Sequence, residues 1–313
     1  MANPSALAPV YRVGELREIE ATAAGLPLME RAGAAAAEVA RGMAGERGGS
    51  VLVLAGPGNN GGDALVVARI LRAAFFDVAV VLRGDAAKLP ADAAAAHRAF
   101  VAAGGATVSD YPERFNGSLV VDGLFGIGLA RPLAAADAAL VERANASGVP
   151  ILALDIPSGI NAETGVAMGA AIRARATATF IALKPGLLTG EAIDFCGELS
   201  VHALGLDPEA TTPAHGHRLD WKTLAATLPP VLARRTRNVH KGTFGTLGIL
   251  GGAEGMTGAP LLAGRAALHA GAGKVLVGFV DDAHPAIDWG QPELMLRRAA
   301  DVVDAAPDAL VCG

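Results

Sequence analysis

Cysteine is scarce in this 313-residue sequence, which contains only Cys196 and Cys312. Two thiols cannot provide a disulfide framework or a cysteine metal cluster, so we expect both to be free, buried side chains. Basic residues are not in excess either, because 26 Lys and Arg stand against 31 Asp and Glu, which gives a formal net charge of −5. This balance disfavours a nucleic-acid-binding protein but is compatible with a small phosphate-bearing ligand, which backbone N–H groups can hold.

Long apolar runs are also missing. No stretch is long enough to span a membrane, and the N-terminus lacks the pattern of a secretory signal. We therefore expect a cytoplasmic protein without a membrane partner. Hydrophobic residues still make up 52% of the chain and charged residues 18%, which is the profile of a globular protein with a large core. The length indicates about two domains.

Short apolar segments alternate with helical patterns through the first two thirds of the chain. The predicted strands cover residues 51–55, 78–82, 119–122, 151–155 and 177–183, and the predicted helices cover parts of 13–44, 64–74 and 91–103. Strands that are apolar throughout and separated by helices are typical of a parallel sheet with helices on both faces. The fold is therefore predicted to be α/β, with a Rossmann-like, doubly wound parallel sheet.

The composition changes at residues 205–220, which are predicted to be a linker. Beyond it the predicted features are, in order, a helix at 221–228, a basic run at 234–241, a strand at 246–250, a helix at 258–270 and a strand at 274–280. The last three form a second βαβ unit. The chain ends in an apolar strand at 309–313, so we expect the sequence to be truncated inside this second domain.

A glycine-rich turn, Gly56-Pro-Gly-Asn-Asn-Gly-Gly-Asp63, follows the first predicted strand and opens a helix. Glycines let the backbone turn sharply, and the free N–H groups at a helix N-terminus can bind a phosphate. The spacing also satisfies G-x-G-x-x-G, which is found in ordinary dinucleotide dehydrogenases. The two Asn and the Asp exceed what a phosphate-binding turn needs, although a tight turn with an Asn cap would use similar residues.

Three further polar residues follow predicted strands. Asp122 begins a glycine-rich loop, Asp155 precedes the rigid Pro157-Ser-Gly turn, and Lys184 precedes Pro185. Ligands of doubly wound sheets bind outside the carboxyl ends of the strands, so these residues are candidates for one shared site. Each has a structural alternative: Asp122 could cap the next turn, the segment after Asp155 could be a plain β-turn, and Lys184 could be a solvated surface charge. Beside Asp155, Lys184 would instead be an electrostatic partner of the carboxyl.

Five motifs in order resemble the YjeF N-terminal domain, the NAD(P)H-hydrate epimerase family. They are Met29-Glu-Arg-Ala-Gly33, the turn from Gly56 to Asp63, Asp122-Gly-Leu-Phe-Gly-Ile-Gly128, Asp155-Ile-Pro-Ser-Gly159 and Leu183-Lys-Pro-Gly186. We assign this domain to residues 10–208. The resemblance implies interconversion of the R and S forms of NADH and NADPH that are hydrated at C6 of the nicotinamide ring, called NAD(P)HX below.

Such chemistry needs a group that protonates the leaving hydroxyl and deprotonates the incoming water. With the resemblance, Asp155 is predicted to be this acid/base, and Lys184 to tune it or to orient the hydroxyl. The resemblance also implies a potassium ion held by the oxygens of Asn60, Asp122 and Ser158. The implied substrate-binding residues are Asn59, Asn60, Gly61, Gly62, Asp63, Gly126, Ile127, Gly128, Leu129, Ala130, Arg131, Pro132 and Asp155.

The second half resembles the start of the ADP- or ATP-dependent NAD(P)H-hydrate dehydratases, which have a ribokinase-like α/β fold. The matching segments are His240-Lys-Gly-Thr-Phe-Gly245, Gly251-Gly, Met256-Thr-Gly-Ala259, Gly271-Ala-Gly273 and Pro292-Glu-Leu-Met295. We assign this partial domain to residues 221–313, with Ala259 as a substrate-binding residue and ADP or ATP as its cofactor. The two families in this order resemble the bifunctional NAD(P)H-hydrate repair enzymes, which also dehydrate the S form.

Two other functions would use the same features. An ordinary NAD(P)-dependent oxidoreductase would use the glycine-rich turn, and a non-catalytic nucleotide-binding or scaffold protein could be built on a YjeF-type domain. The presence of both Asp155 and Lys184 favours an enzyme over a scaffold. The expected partner is the small-molecule substrate rather than nucleic acid, and the sequence is compatible with a homo-oligomer.

Overall fold

The structure, a computed structural model, describes residues 8–45, 49–113, 115–221, 224–225, 238–282 and 284–313. The chain divides into two compact units between residues 227 and 228. Most of the helix predicted over 221–228 and part of the basic run at 234–241 lie outside the described residues. Among the helices that are described, none is long and apolar enough to cross a membrane.

A parallel sheet forms the centre of the first unit. The strands of this unit are β1 (Ala8–Val10), β2 (Ser50–Ala55), β3 (Asp77–Leu82), β4 (Thr107–Val108), β5 (Leu119–Gly123), β6 (Ile151–Leu154), β7 (Ala176–Phe180), β8 (Glu198–His202) and β9 (Gly216–Arg218). Seven of them form the sheet in the order β4-β3-β2-β5-β6-β7-β8, while β1 pairs with β9 in a separate antiparallel ribbon. The predicted doubly wound parallel sheet is confirmed.

The chain leaves the middle of this sheet in two directions. From β2 it continues to β3 and β4 on one side, and it then returns to β5 on the other side of β2. The connections after β2 and β5 therefore diverge, which leaves a crevice at the carboxyl ends of these strands. Ala55 pairs with Gly123 and Leu54 with Asp122, so the glycine-rich turn and the Asp122 loop start side by side.

Helices cover both faces of the sheet. The helices of this unit are α1 (Val13–Thr22), α2 (Leu28–Ala44), α3 (Asn59–Ala73), α4 (Ala91–Ala102), α5 (Ala135–Ala146) and α6 (Pro208–Thr211). Short 3-10 segments lie at Ala86–Lys88, Pro185–Leu187 and Gly190–Asp194. Alternate residues of β2 face opposite cores: Val51 and Val53 pack with α1 to α4, whereas Leu52 and Leu54 pack with α5. Both faces are apolar because both are covered.

Four sequence-based expectations need correction. Residues 205–220 are not a linker, because they contain α6 and strand β9, which pairs with β1 inside the first unit. Helix α3 begins at Asn59 rather than at residue 64, because only Gly56 to Gly58 are needed for the turn that follows β2. Strand β7 ends at Phe180 rather than at residue 183, because Ile181 takes a left-handed backbone conformation with φ of 67°. Cys196 is buried as expected, but Cys312 is exposed because it lies on an edge strand.

The second unit contains a smaller parallel sheet. Its elements are a 3-10 segment at Lys241–Phe244, β10 (Thr246–Gly251), α7 (Gly258–Ala270), β11 (Lys274–Phe279), β12 (Met295–Arg298), α8 (Ala299–Asp304) and β13 (Ala309–Cys312). The four strands are parallel in the order β12-β11-β10-β13. Ile249, Val275, Val277, Phe279 and Leu294 form the buried core. The predicted βαβ unit is therefore present as β10-α7-β11.

Close packing of α2 against α3 gives a test of this fold. An alanine at Gly33 would put its Cβ into the side chain of Val66 and within 3.1 Å of the Asp63 carbonyl oxygen. Gly42 lies on the same helix, is exposed and has no atom within 4 Å of such a Cβ. Gly33→Ala should lower the free energy of unfolding by about 1–3 kcal/mol through overpacking. Gly42→Ala should raise it by up to about 1 kcal/mol through helix propensity.

The measurement is urea unfolding followed by far-UV circular dichroism for both variants and the unmodified protein. The two substitutions are chemically identical, so helix propensity alone would move both midpoints in the same direction. Equal stabilisation by the two alanines would contradict the described approach of α2 to α3.

Candidate active site

The glycine-rich turn brings the start of α3 against the end of β2. Gly58 is in an extended conformation and is the N-cap of α3, and Asn59 to Gly61 form its first turn. A side chain at Gly61 would overlap the backbone of Gly56, so only glycine allows this close return of the helix. The first N–H groups of α3 have no partner within the helix, and they carry its positive dipole end to the crevice.

Asn60 has a buried amide without a partner. Its side chain is packed inside the site, and neither its amide nitrogen nor its amide oxygen has a hydrogen-bond partner in the described structure. A Cβ placed at Gly126 would lie 3.4 Å from Asn60 Cγ and 3.3 Å from Asp155 Oδ2, so the amide, this loop and the carboxylate converge. Buried polar groups are almost always paired, and the Asn60 amide therefore points to a bound group.

Asp122 and Ser158 are joined by two hydrogen bonds. The Ser158 backbone N–H donates to Asp122 Oδ2 at 2.8 Å, and the Ser158 hydroxyl donates to Oδ1 at 2.7 Å. Asp122 Oδ1 also accepts from the Leu124 N–H at 3.2 Å, so the turn-capping alternative is part of its role. Burial raises the pKa of Asp122 to about 6, although these hydrogen bonds oppose the shift. The Phe125 N–H donates to the Ser158 hydroxyl at 2.9 Å, which ties the loop after β5 to the turn after β6.

Asp155 and Lys184 form a buried ion pair. The Lys184 ammonium donates to Asp155 Oδ1, to the Thr179 hydroxyl at 2.7 Å and to the Phe180 carbonyl oxygen at 2.9 Å. These three acceptors use all three of its donors. The Lys184 side chain is only 1% exposed, which rules out the alternative of a solvated surface charge. Asp155 has a φ of 66°, an uncommon conformation that its N–H stabilises by donating to the Ala178 carbonyl oxygen at 2.7 Å.

Asn60, Asp155 and Lys184 line a cavity of about 770 Å³ at the carboxyl ends of the central strands. Its volume lies in the range of small-molecule sites. The predicted site residues that line it are Asn59, Asn60, Asp63, Gly126, Ile127, Gly128, Leu129, Ala130, Arg131, Asp155 and Lys184. Those that do not line it are Gly61, Gly62, Asp122, Pro132 and Ser158. Ala259 lies on α7 in the second unit.

Several lining residues were not predicted from the sequence. They are Leu16, Arg17 and Glu20 on α1, Pro57, Gly58, Leu124 and Phe125 in the loops, and Phe180 and Ile181 after β7. The polar face of α1 has the ordinary pattern of a surface helix, so periodicity alone gave no signal for Arg17 or Glu20. Phe180 and Ile181 were included in a predicted strand, which hid the turn that exposes them to the cavity.

Carboxyl groups dominate the electrostatics of the cavity. Burial raises the pKa of Asp63 well above its ordinary value, and the nearby charges of Asp155 and Glu20 raise it further, while Lys184 lowers it. Partial burial also raises the pKa of Glu20, whose side chain still reaches solvent, and the charge of Asp155 adds to this shift. The cavity thus combines the Asp155–Lys184 pair with a carboxyl, Asp63, whose neutral form is favoured relative to that of an exposed aspartate.

Fold and site together define an α/β enzyme. Its polar cavity lies at the topological switch point of the sheet, where the connections after β2 and β5 diverge. Comparisons with known proteins give the family. Residues 25–186 match the family described as YjeF-related protein N-terminus, and residues 247–312 match the family described as NAD(P)H-hydrate dehydratase. The chain therefore belongs to the YjeF-related N-terminal family, that of the NAD(P)H-hydrate epimerases.

Individual relatives agree with this assignment. The chain is 49% identical over 210 residues to the NAD(P)H-hydrate epimerase of Achromobacter xylosoxidans (strain A8), a match that covers 66% of this chain and 99% of that protein. It is 42% identical over 275 residues to the bifunctional NAD(P)H-hydrate repair enzyme Nnr of Escherichia coli (strain K12), which covers 87% of this chain and 52% of that protein. The corresponding enzyme of Coxiella burnetii is 38% identical, with coverage of 95% and 62%.

The chain thus spans about half to three fifths of the length of these bifunctional relatives. Among solved structures, the crystal structure of yeast ynu0, YNL200c, matches with a TM-score of 0.54 at 22% identity, and the match covers 64% of this chain and 94% of that chain. At this identity the likeness supports the fold. The resemblance of the sequence to the two families in this order is confirmed.

The buried ion pair gives the second testable prediction. Lys184→Met would leave Asp155 without its ammonium beside two other carboxyls, which should lower the free energy of unfolding by about 3–5 kcal/mol. Asp155→Asn combined with Lys184→Met removes both charges, so the double variant should be more stable than Lys184→Met alone. Urea unfolding of the two single variants and the double variant measures the coupling between the residues. Strict additivity of the two losses would contradict a direct Asp155–Lys184 interaction.

Proposed function

We propose that the first unit epimerises NAD(P)HX, interconverting its R and S forms. The observation that carries the proposal is the Asp155–Lys184 pair, which lies in a cavity of dinucleotide-compatible size at the switch point of the sheet. Membership of the NAD(P)H-hydrate epimerase family supports the same substrate. Retention of both members of the pair favours an enzyme over the scaffold alternative.

The reaction follows from the structure of the substrate. C6 of the hydrated ring bears a hydroxyl group and the ring nitrogen, so the nitrogen lone pair can expel the hydroxyl once the oxygen is protonated. Water then returns to the resulting cation from either face. Asp155 is placed to give a proton to the leaving oxygen and to take one from incoming water. Lys184 fixes the orientation of the Asp155 carboxylate through a bond to Oδ1, since its two other bonds hold the ammonium against β7.

The diphosphate of the substrate would bind at the start of α3. Asn59, Asn60 and Gly61 form the first turn of α3, whose N–H groups have no preceding helical turn to bond to, and the helix dipole also favours a phosphate there. Gly62, Asp63 and the loop from Gly126 to Pro132 complete the proposed dinucleotide site. Arg17 and Arg131 line the same cavity, and their guanidinium groups would supply positive charge for the phosphates.

A potassium ion is the metal that we propose for this site. The residues fit a hard cation on two observations: the Asn60 amide is buried without a partner, and the Asp122 carboxylate is buried without a bond to any basic side chain in the described structure. Asn60, Asp122 and Ser158 would hold the ion with their oxygens. Bound there, the ion would offset negative charge next to the diphosphate.

We propose that the second unit is part of a dehydratase that converts S-NAD(P)HX to NAD(P)H with ADP or ATP. The match of residues 247–312 to the NAD(P)H-hydrate dehydratase family supports this role. Ala259, at the start of α7, is the proposed substrate contact. The cytoplasmic location and self-association stay predictions.

The third prediction tests Asp155 directly. Asp155→Asn keeps the size of the side chain but cannot exchange a proton, so epimerisation of purified R- or S-NADHX should slow by a factor on the order of 10²–10⁴. Chromatography of the two epimers, with the uncatalysed rate subtracted, gives the rate. Asp110→Asn changes an exposed carboxyl outside the cavity and should leave the rate unchanged. Near-normal epimerisation by Asp155→Asn would remove Asp155 from the mechanism.

The fourth prediction tests the ion without using activity. Potassium chloride should raise the thermal midpoint of the unmodified protein above that in choline chloride of equal ionic strength, because a cation that binds only the folded state stabilises it. Asp122→Asn and Asn60→Ala should each abolish this difference. If both variants still respond to potassium as the unmodified protein does, the ion binds elsewhere.

A further inference from the structure

Glu20 is a cavity residue to which the proposed mechanism gives no role. It lies near the end of α1 and lines the main cavity together with Leu16 and Arg17 of the same helix. It also lines a smaller adjoining cavity of about 280 Å³, so it stands where the two cavities meet. Its carboxylate has no ion pair or hydrogen bond in the described structure, whereas Glu15 of the same helix bonds to the Arg12 N–H.

Glu20 and Asp155 enter the cavity from different elements. Asp155 follows strand β6 and is held by Lys184, while Glu20 comes from α1, which precedes the sheet in the chain. The two carboxyls are close enough for the charge of Asp155 to raise the pKa of Glu20, after the larger effect of burial. The cavity therefore offers a bound substrate two carboxyl groups that come from different elements, Asp155 after β6 and Glu20 on α1.

Epimerisation at C6 makes a demand that one carboxyl cannot meet without reorienting the ring. The hydroxyl leaves from one face of the ring, and the water that produces inversion must attack the opposite face. A proton must be delivered on the first face and removed on the second. Two acid/base groups, one for each face, satisfy this demand in a single binding orientation.

We propose that Glu20 is the second acid/base group, and that it acts on the face of the nicotinamide ring turned away from Asp155. The proposal rests on the proposed epimerase function. In one direction Asp155 gives its proton to the C6 hydroxyl, the C6–O bond breaks with its electron pair on oxygen, and water leaves. The nitrogen lone pair forms a C=N bond. Water on the other face then attacks C6, its proton goes to Glu20, and the electron pair returns to nitrogen.

The opposite direction uses the same groups with their roles exchanged. Glu20 is then the acid and Asp155 the base, so turnover leaves the proton on the other carboxyl. Glu20 reaches solvent, so it can return its proton to water, and Asp155 takes up a proton from water in the cavity before the next cycle in the same direction. No oxidant, reductant or co-reactant other than water is needed.

Asp63 is the competing carboxyl in the same cavity. It is 9% exposed and lines both cavities, but burial and the charges of Asp155 and Glu20 hold its pKa well above the ordinary value. A carboxyl whose neutral form is favoured is better suited to donate a hydrogen bond than to take a proton from water. Glu20 is less buried than Asp63, and the charges of Lys184 and Arg17 partly oppose the rise of its pKa, so it is the better base.

The test separates bond cleavage from inversion with H₂¹⁸O. Purified R- or S-NADHX is incubated with Glu20→Gln, the epimers are separated by chromatography, and the oxygen label in each is measured by mass spectrometry. Epimerisation should fall on the order of 10²–10⁴-fold, because the second face has no base. The epimer whose hydroxyl faces Asp155 should still exchange its oxygen with solvent, because Asp155 can expel water and readmit it on the same face. Affinity for the substrate should change little.

Two controls keep the result specific. Glu18→Gln alters an exposed carboxyl on the same helix that does not line the cavity, and it should epimerise normally. Glu20→Asp retains a carboxyl and should recover part of the rate, which a structural role of the longer side chain would not explain. Circular dichroism checks that each variant is folded, and Glu20→Ala replaces Glu20→Gln if the latter is not.

Two outcomes overturn the proposal. Epimerisation by Glu20→Gln at near the unmodified rate shows that inversion does not need Glu20. Equal loss of epimerisation and of ¹⁸O exchange, with binding retained, shows that Glu20 acts on the same step as Asp155 rather than on the second face. A different result, no epimerisation by the unmodified protein above the uncatalysed rate, rejects the proposed function itself.

Discussion

A buried ammonium must be paired, and this constraint organises the site. Lys184 is almost fully excluded from solvent, so its charge is tolerable only because Asp155, Thr179 and Phe180 supply three acceptors. The hydrogen bonds from the Lys184 ammonium fix the end of β7 and hold the Asp155 carboxylate close to that strand. It also offsets the cost of the left-handed backbone at Asp155. The same pair that stabilises this corner of the sheet therefore presents a fixed carboxylate to the cavity.

A second set of hydrogen bonds stabilises the loops next to the cavity. Ser158 bonds to Asp122 through both its backbone N–H and its hydroxyl, and the Phe125 N–H bonds to that hydroxyl. These hydrogen bonds join the loop after β5 to the turn after β6. Burial raises the pKa of Asp122 to about 6, so ionising this carboxyl costs more than ionising an exposed aspartate. A cation beside Asn60 would relieve this cost and would satisfy the unpaired amide at the same time.

The sequence predicts the sheet well because the strands are apolar on both faces. β2 shows this best, since its residues alternate between two buried cores and leave no other structure for a short apolar run between helices. It also indicates the residues at strand ends, because chemistry-bearing side chains after parallel strands meet at one edge. The burial of Lys184 could not be predicted, since a lysine before Pro-Gly looks like any loop lysine until its three acceptors are known. Glu20 was missed for a related reason: nothing in the pattern of α1 distinguishes a polar face that lines a cavity from one that faces solvent.

The exposure of α1 has a consequence for the kind of chemistry that this cavity suits. Enzymes that transfer a hydride or a reactive group exclude water, because water would divert the intermediate. In the proposed epimerisation water is both the leaving group and the nucleophile, so the site must admit it. Asp155 and Lys184 lie at the buried end of the cavity, whereas Glu20 is open to solvent. The side of the cavity formed by Asp155 and Lys184 is therefore shielded enough from solvent to hold a fixed charge pair. The side formed by Glu20 is accessible enough to exchange protons and water in each turnover.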